Sequence, residues 1–152
     1  MRIVELLDPV AVEADLSCRG KDQALEQMTE VLLRAAPGLG REAVLQVLRE
    51  RERLGSTGIG EGVAIPHGKL KTVDRLLLAF GRSRAGVDFD SMDGKPAHLF
   101  FLLLAPEDSV SIHLKTLARI SKLLKDAQVR AQLMAARDAA ELYEIIRTGD
   151  PA

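Results

Sequence analysis

The chain has one cysteine, no tryptophan and an aromatic share of only 3%, and neither sign of charge dominates it. A lone Cys18 can form neither an intrachain disulfide nor a thiolate metal cluster. It also has no CxxC partner for redox work, so a buried, unreactive thiol is expected. So few aromatic rings leave no stacking platform for single-stranded nucleic acid. Twenty-one Lys and Arg against 22 Asp and Glu leave no positive excess to hold phosphate backbones. Nucleic acid is therefore not expected as a partner. Long apolar runs are missing too: the longest, residues 99–105, is far short of the roughly 20 residues a membrane span requires. Glu5 and Asp8 stand where a signal peptide needs an apolar run, which points to a cytoplasmic protein.

What is present is a globular balance of 47% hydrophobic and 28% charged residues over 152 positions, the size of a single domain spanning residues 1–152. Ala24, Leu25, Met28, Val31, Leu32 and Ala35 recur at amphipathic-helix spacing, and that helix should stop near Pro37-Gly38. A second helix is predicted over 41–54, with Val44, Val47, Leu48 and Leu54 as its apolar stripe and Gly55 as terminator. Arg51 falls on the same stripe, where it either snorkels to water or meets an anion near the core. Residues 76–80 and 99–104 are continuous apolar runs, the mark of strands covered on both faces. Residues 81–96 read as the connection between them, with a short strand at 87–89. After Pro106 a helix is predicted with Ser109 as N-cap and His113, Leu117, Ile120 and Leu124 on one stripe. Asp126 should cap a further short helix. Asp138 with Glu141 has capping-box spacing ahead of Leu142, Ile145 and Ile146. Helices interleaved with buried strands predict an α/β fold, a mixed sheet of about five strands with helices on both faces.

The unusual residues concentrate in 51–69. Gly55, Gly58, Gly60 and Gly62 permit positive φ and close backbone approach, and Ser56 and Thr57 add hydroxyls, a set suited to holding an anion. The short run Val63-Ala64-Ile65 reads as a strand. No nucleotide pattern can be drawn, because neither GxxxxGK[ST] nor GxGxxG fits the glycine spacing. His67 lies between Pro66 and Gly68, stiff on one side and free on the other, so its ring can be presented in a fixed direction. A neutral imidazole is a competent nucleophile toward phosphorus once its second nitrogen is tied to an acceptor. A loop histidine without a role would satisfy the same sequence. His113 lies on an apolar stripe near a helix start, where the helix dipole favours a neutral ring able to donate one hydrogen bond to an anion. His98 opens an apolar strand and carries no local signal. The three histidines show neither HxH nor HxxxH spacing, so no metal site is expected. No GxSxG is present, which speaks against a hydrolase triad.

The segment Gly55-Ser-Thr-Gly-Ile-Gly-Glu-Gly-Val-Ala-Ile-Pro-His-Gly-Lys69 is preceded by Arg51-Glu52 and followed by Asp93-Gly-Lys-Pro, the apolar run to Pro106 and His113-Leu-Lys-Thr-Leu. Together these closely resemble the enzyme IIA domain of the fructose/mannitol family of the bacterial phosphoenolpyruvate-dependent phosphotransferase system. The Gly-Ser-Thr-Gly-Ile-Gly wording and the freestanding chain are most similar to the nitrogen-regulatory enzyme IIA. The resemblance implies that His67 is the phosphorylated histidine, that His113 contacts the phosphoryl group, and that Arg51 stabilises its charge, with Gly55 to Gly62 shaping the pocket. It implies a histidine phosphocarrier protein as donor, no cofactor, and either regulatory targets or a separate IIB domain downstream. A homo-oligomer stays open.

Overall fold

The computed structural model describes residues 2–150. A short 3-10 turn at Ile3–Glu5 leads into β1 (Leu7–Glu13), then α1 (Lys21–Leu33) and α2 (Arg41–Arg53). Three short strands follow, β2 (Gly58–Gly60), β3 (Val63–Ala64) and β4 (His67–Lys69). The long pair β5 (Leu77–Val87) and β6 (Ala97–Ala105) forms the centre of the sheet, and α3 (Val110–Lys125), α4 (Ala127–Ala135) and α5 (Ala139–Gly149) complete the chain.

The sheet is mixed, with order β1-β5-β6-β3-β2 and β4 as an additional partner of β6. β5 and β6 run antiparallel, and Phe80 pairs with Phe101 at their middle, the two rings 4.9 Å apart edge-to-face. Such pairs add to the hydrophobic gain of burying two rings. Side chains alternate along β5, and that alternation places helices on both faces. Gly81 sits against Met28 of α1, so tightly that a Cβ there would come 2.6 Å from its sulfur. Arg82 points the other way and donates to the Leu133 carbonyl of α4 at 2.9 Å.

The mixed α/β sheet flanked by helices is as expected, with six strands rather than about five. Sequence reading passes over β1, β2 and β4, while its separate short strand at 87–89 is absent, Val87 being the end of β5. β1 is the most informative of the three. Its burial does not alternate, because Asp8, Pro9 and Val10 are all exposed, and its register against β5 shifts between Leu7 and Val12. β1 is an edge strand, the place where a proline costs no ladder bond. β5 is longer than its apolar run. Residues 81–87 belong to the strand rather than to a connection, and Arg82 is fully buried there, its Nε donating to the Ala14 carbonyl and its Nη1 to those of Leu133 and Ala136, with Nη2 left without a partner. Leu54 is not on the buried stripe of α2: it is 85% exposed just past the helix end, and Leu45 takes the core position instead.

The caps largely follow the sequence. The Asp126 carboxylate accepts from the Gln128 and Val129 amides, and that of Asp138 from the Glu141 amide at 2.9 Å. Glu141 does not return the bond and instead accepts from Arg137. Ser109 occupies the N-cap position of α3, but its hydroxyl donates to the Pro106 carbonyl at 2.7 Å. Cys18 is buried and free, and burial pushes its thiol up from the ordinary range.

Candidate functional site

Two short strands share one edge of β6. β3 pairs with Leu99 and Phe100, and β4 begins further on, with His67 opposite Leu103. Between them Pro66 cannot donate to the ladder, although its carbonyl still accepts from the Leu103 amide at 3.0 Å. The chain therefore leaves and re-enters the sheet at this point, and His67 is the first residue after the break. It sits near the C-terminal end of β6, the end of a parallel pair where α/β proteins commonly place their sites.

The His67 ring is fixed by its own backbone, its Nδ1 lying 2.8 Å from the Ile65 carbonyl oxygen. A carbonyl only accepts, so Nδ1 carries the hydrogen and Nε2 holds the free lone pair of the neutral ring. Burial lowers the His67 pKa, and the nearby Arg51 charge lowers it further, against the opposing pull of the Ile65 carbonyl and Glu52. The ring thus keeps a nucleophilic nitrogen near neutral pH.

His113, in the first turn of α3, lies edge-to-face with His67 at 5.4 Å between ring centroids. It is only 6% exposed, and burial, with His67 and Lys69 adding to it, pushes its pKa down to about 4. Its Nε2 is buried without a hydrogen-bond partner. Buried polar atoms are nearly always satisfied, so an orphan at a nucleophile is a place where a ligand oxygen fits.

Arg51 reaches the site because α2 packs closely on β4. A Cβ on Gly68 would lie 3.2 Å from Val47 Cγ2, and Arg51 follows Val47 by one helical turn. Among the described residues no carboxylate pairs with its guanidinium. Nη1 donates to the Gly55 carbonyl at 2.9 Å, which folds the side chain over the end of its helix and leaves it half-buried.

The glycine-rich loop divides. Glu52, buried beside Arg51, accepts from the Thr57 amide at 3.1 Å and from the Thr57 hydroxyl, and it pairs with Lys21 of α1 at 3.1 Å. The Thr57 carbonyl in turn accepts from the Ile65 amide at 3.0 Å, which leads directly to the carbonyl that orients His67. The Ser56 hydroxyl donates to the Phe89 carbonyl at 2.7 Å. Both hydroxyls therefore hold the loop together and are not turned toward His67. Gly60 and Gly62, with φ of 97° and 77°, shape the β2–β3 turn against Asp93 and His98. Val63 pairs with Leu99 and His67 with Leu103, four residues on, which puts that turn roughly 13 Å from His67 along the strand. So the structure brings His67, His113 and Arg51 together with Gly55 at their edge, and leaves Gly58, Gly60 and Gly62 as framework. Gly58 is pressed on Ser91, whose hydroxyl would come 2.5 Å from a Cβ there.

Sequence reading gives Glu52 and Lys69 no role of their own and takes Gly68 only as the free flank of His67. A Glu and a Lys among charged neighbours carry no periodic signal, and Gly68 is needed for packing rather than for its φ. His98 does not join the site, and among the described residues no group of three or more His, Cys, Asp or Glu side chains is placed to hold a metal. None of the described helices is long and apolar enough to cross a membrane.

A sheet-edge histidine with a second, neutral histidine and an arginine around it is an arrangement that can accept a bound anion. The family model for the phosphoenolpyruvate-dependent sugar phosphotransferase system, EIIA 2, matches residues 5–149, and the chain belongs to this family, whose members are phosphoryl-transfer components. It is 43% identical over 146 residues to the nitrogen regulatory protein of Bradyrhizobium diazoefficiens, covering 96% of this chain and 95% of that one. It is 39% identical over 150 residues to the fructose-specific EIIABC component of Bacillus subtilis, of which it spans 24%. The crystal structure of nitrogen regulatory protein IIA-Ntr from Neisseria meningitidis superposes with a TM-score of 0.88 at 37% identity, covering 95% of this chain and 98% of that one. The nitrogen-regulatory type fits the chain better than the sugar-specific type.

Proposed function

We propose that this protein accepts a phosphoryl group on Nε2 of His67 from a histidine phosphocarrier protein and acts, as one domain in the cytoplasm, as a regulatory component of the phosphotransferase system. The lone pair of Nε2 attacks phosphorus, the P–N bond to the carrier's histidine breaks, and its electron pair returns to that ring. No proton has to leave His67, because the hydrogen on Nδ1 stays bonded to the Ile65 carbonyl. Three groups are within the field of the incoming dianion: Arg51 with a charge-assisted hydrogen bond, His113 with an N–H, and Lys69 with its charge. Positioning and electrostatics of this kind are what phosphoryl transfer needs.

The observation that carries the reading is the 2.8 Å contact of His67 Nδ1 with Ile65, which leaves Nε2 as the free nitrogen. Incubated with phosphoenolpyruvate, enzyme I and the carrier protein, the wild type should take up acid-labile, alkali-stable label on Nε2, and His67→Ala should take up none. Label persisting in that variant overturns the assignment. The likeness to a fructose-specific EIIABC component supports a second reading, transfer onward to a separate IIB domain. Rapid loss of label to a IIB domain would favour it over the regulatory role.

A further inference from the structure

A cavity of about 780 Å³ opens between the N-terminal 3-10 turn and α3, and it contains none of His67, His113 or Arg51. Its size is that of a pocket for a small organic ligand. Among the described residues, four cations line it, Arg2, Lys115, Arg119 and Lys122, beside the carboxylate of Asp108. Asp150 is committed behind the wall, with one carboxylate oxygen on Arg119 Nε at 2.6 Å and the other accepting from the Ile3 amide at 2.6 Å. That pair fixes the geometry and offsets one positive charge. Arg2 is anchored through Nη2 to the Arg147 carbonyl at 2.7 Å, while its Nε is buried with no partner. Glu5 is the other acid nearby, and it accepts from the Arg2 backbone amide at 3.1 Å. Ile3, Leu6 and Ile112 give the wall its apolar area, beside the hydroxyl side chains of Ser109, Ser111 and Thr116.

A second groove adjoins the first through Leu6 and Ile112 and is of similar size, about 790 Å³. There Lys71 and Arg75 are offset by Asp74, Glu107 and Asp108. The two grooves differ in charge rather than in space, and an anion distinguishes them.

We propose that the cavity between the 3-10 turn and α3 is a binding site for a small organic anion, with its acidic group held by Arg2, Lys115 and Lys122 and its apolar body resting on Ile3, Leu6 and Ile112. A buried N–H without an acceptor costs free energy until one arrives, and lysine charges at a low-dielectric wall attract anions more strongly than in open water. The inference does not depend on the assignment of His67.

The test uses the fluorescent anion 8-anilinonaphthalene-1-sulfonate beside its uncharged counterpart N-phenyl-1-naphthylamine. The anion should bind saturably and shift the amide resonances of Ile3 and residues 111–122 of the full chain. Lys115→Gln combined with Lys122→Gln, both at exposed positions, should weaken it at least fivefold, and Asp108→Asn should tighten it. Neither change should alter phosphorylation of His67, which shows that the variants are folded. Equal binding of the neutral compound, indifference to the lysine pair, or shifts centred on residues 71–76 would each overturn the proposal.

Discussion

β6 carries a histidine at each end of its environment, His98 near its start and His67 on the strand beside its finish, and both rings are held the same way. The Nδ1 of His98 lies 2.9 Å from the Ser83 carbonyl, and that of His67 2.8 Å from the Ile65 carbonyl. Both are half-buried. They part at the other nitrogen. A Cβ on Gly86 would come 3.3 Å from His98 Nε2 and 3.0 Å from its Cε1, so that face of the ring is already against backbone. His67 instead meets a second imidazole with an orphaned nitrogen, and the field of Arg51. Orienting an imidazole is thus common to His98 and to the proposed acceptor His67, and the neighbours on the free side make the difference.

Exchanging the roles tests that contrast most severely. His98→Gln should leave phosphorylation unchanged and cost about 1 kcal/mol of stability for the lost hydrogen bond, read from a urea midpoint. His67→Ala should abolish label entirely. Loss of transfer in His98→Gln with an intact fold would erase the distinction.

The next effect belongs to His113. Its folded pKa of about 4 lies below the ordinary 6.5, so between those values the unfolded chain binds the extra proton. The stability present above pH 6.5 is therefore lost as pH falls toward 4, by up to ~3 kcal/mol. The wild type should lose more stability than His113→Gln over that interval in urea titrations, and equal losses would refute the burial argument. If His67 carries the proposed phosphoryl group, a dianion stands on its ring beside His113, and the His113 resonances should then titrate at higher pH.

Arg51→Met keeps the aliphatic stem and removes the charge. The transfer rate should fall about ten- to a hundredfold, matching a charge-assisted bond of ~1.5–3 kcal/mol, while the melting temperature stays within a few degrees. A collapse in stability with unchanged transfer would make Arg51 a helix terminator only, through its bond to Gly55.

What the sequence shows of this site is the part with local chemistry. A histidine between Pro66 and Gly68, an arginine on an apolar stripe and a histidine at a helix start are each visible as irregularities of pattern. The central strands are legible because their apolar runs are unbroken. β1 is not, because an edge strand with a proline and a register shift has no period to read. The second half of β5 is hidden for the opposite reason: Arg82 looks like a loop residue until the carbonyls that accept from it are known, and those lie 51 to 68 positions away in the chain. The glycines of 55–62 are legible as a constrained loop, but their division between the site and the far hairpin depends on strand register. Glu52 is identified only by what it holds, Thr57 and Lys21.

Gly68 gives the smallest and sharpest test, because it concerns spacing alone. It follows His67, its φ is not in the left-handed region, and its hydrogen atom faces Val47 of α2, with a Cβ predicted 3.2 Å from Val47 Cγ2 and 3.6 Å from the Val47 carbonyl. An alanine there can keep its backbone conformation, so any cost comes from pushing α2 outward by a few tenths of an ångström. Overpacking of that order costs about 1 kcal/mol. Since Arg51 stands one turn beyond Val47, the same push carries its guanidinium away from His67, and Gly68→Ala should slow transfer by a few-fold while sparing most of the stability. Shortening the opposing side chain with Val47→Ala should restore the rate, because the space then returns. If the double variant is no faster than Gly68→Ala, the closeness of α2 to β4 is not what brings Arg51 to the histidine.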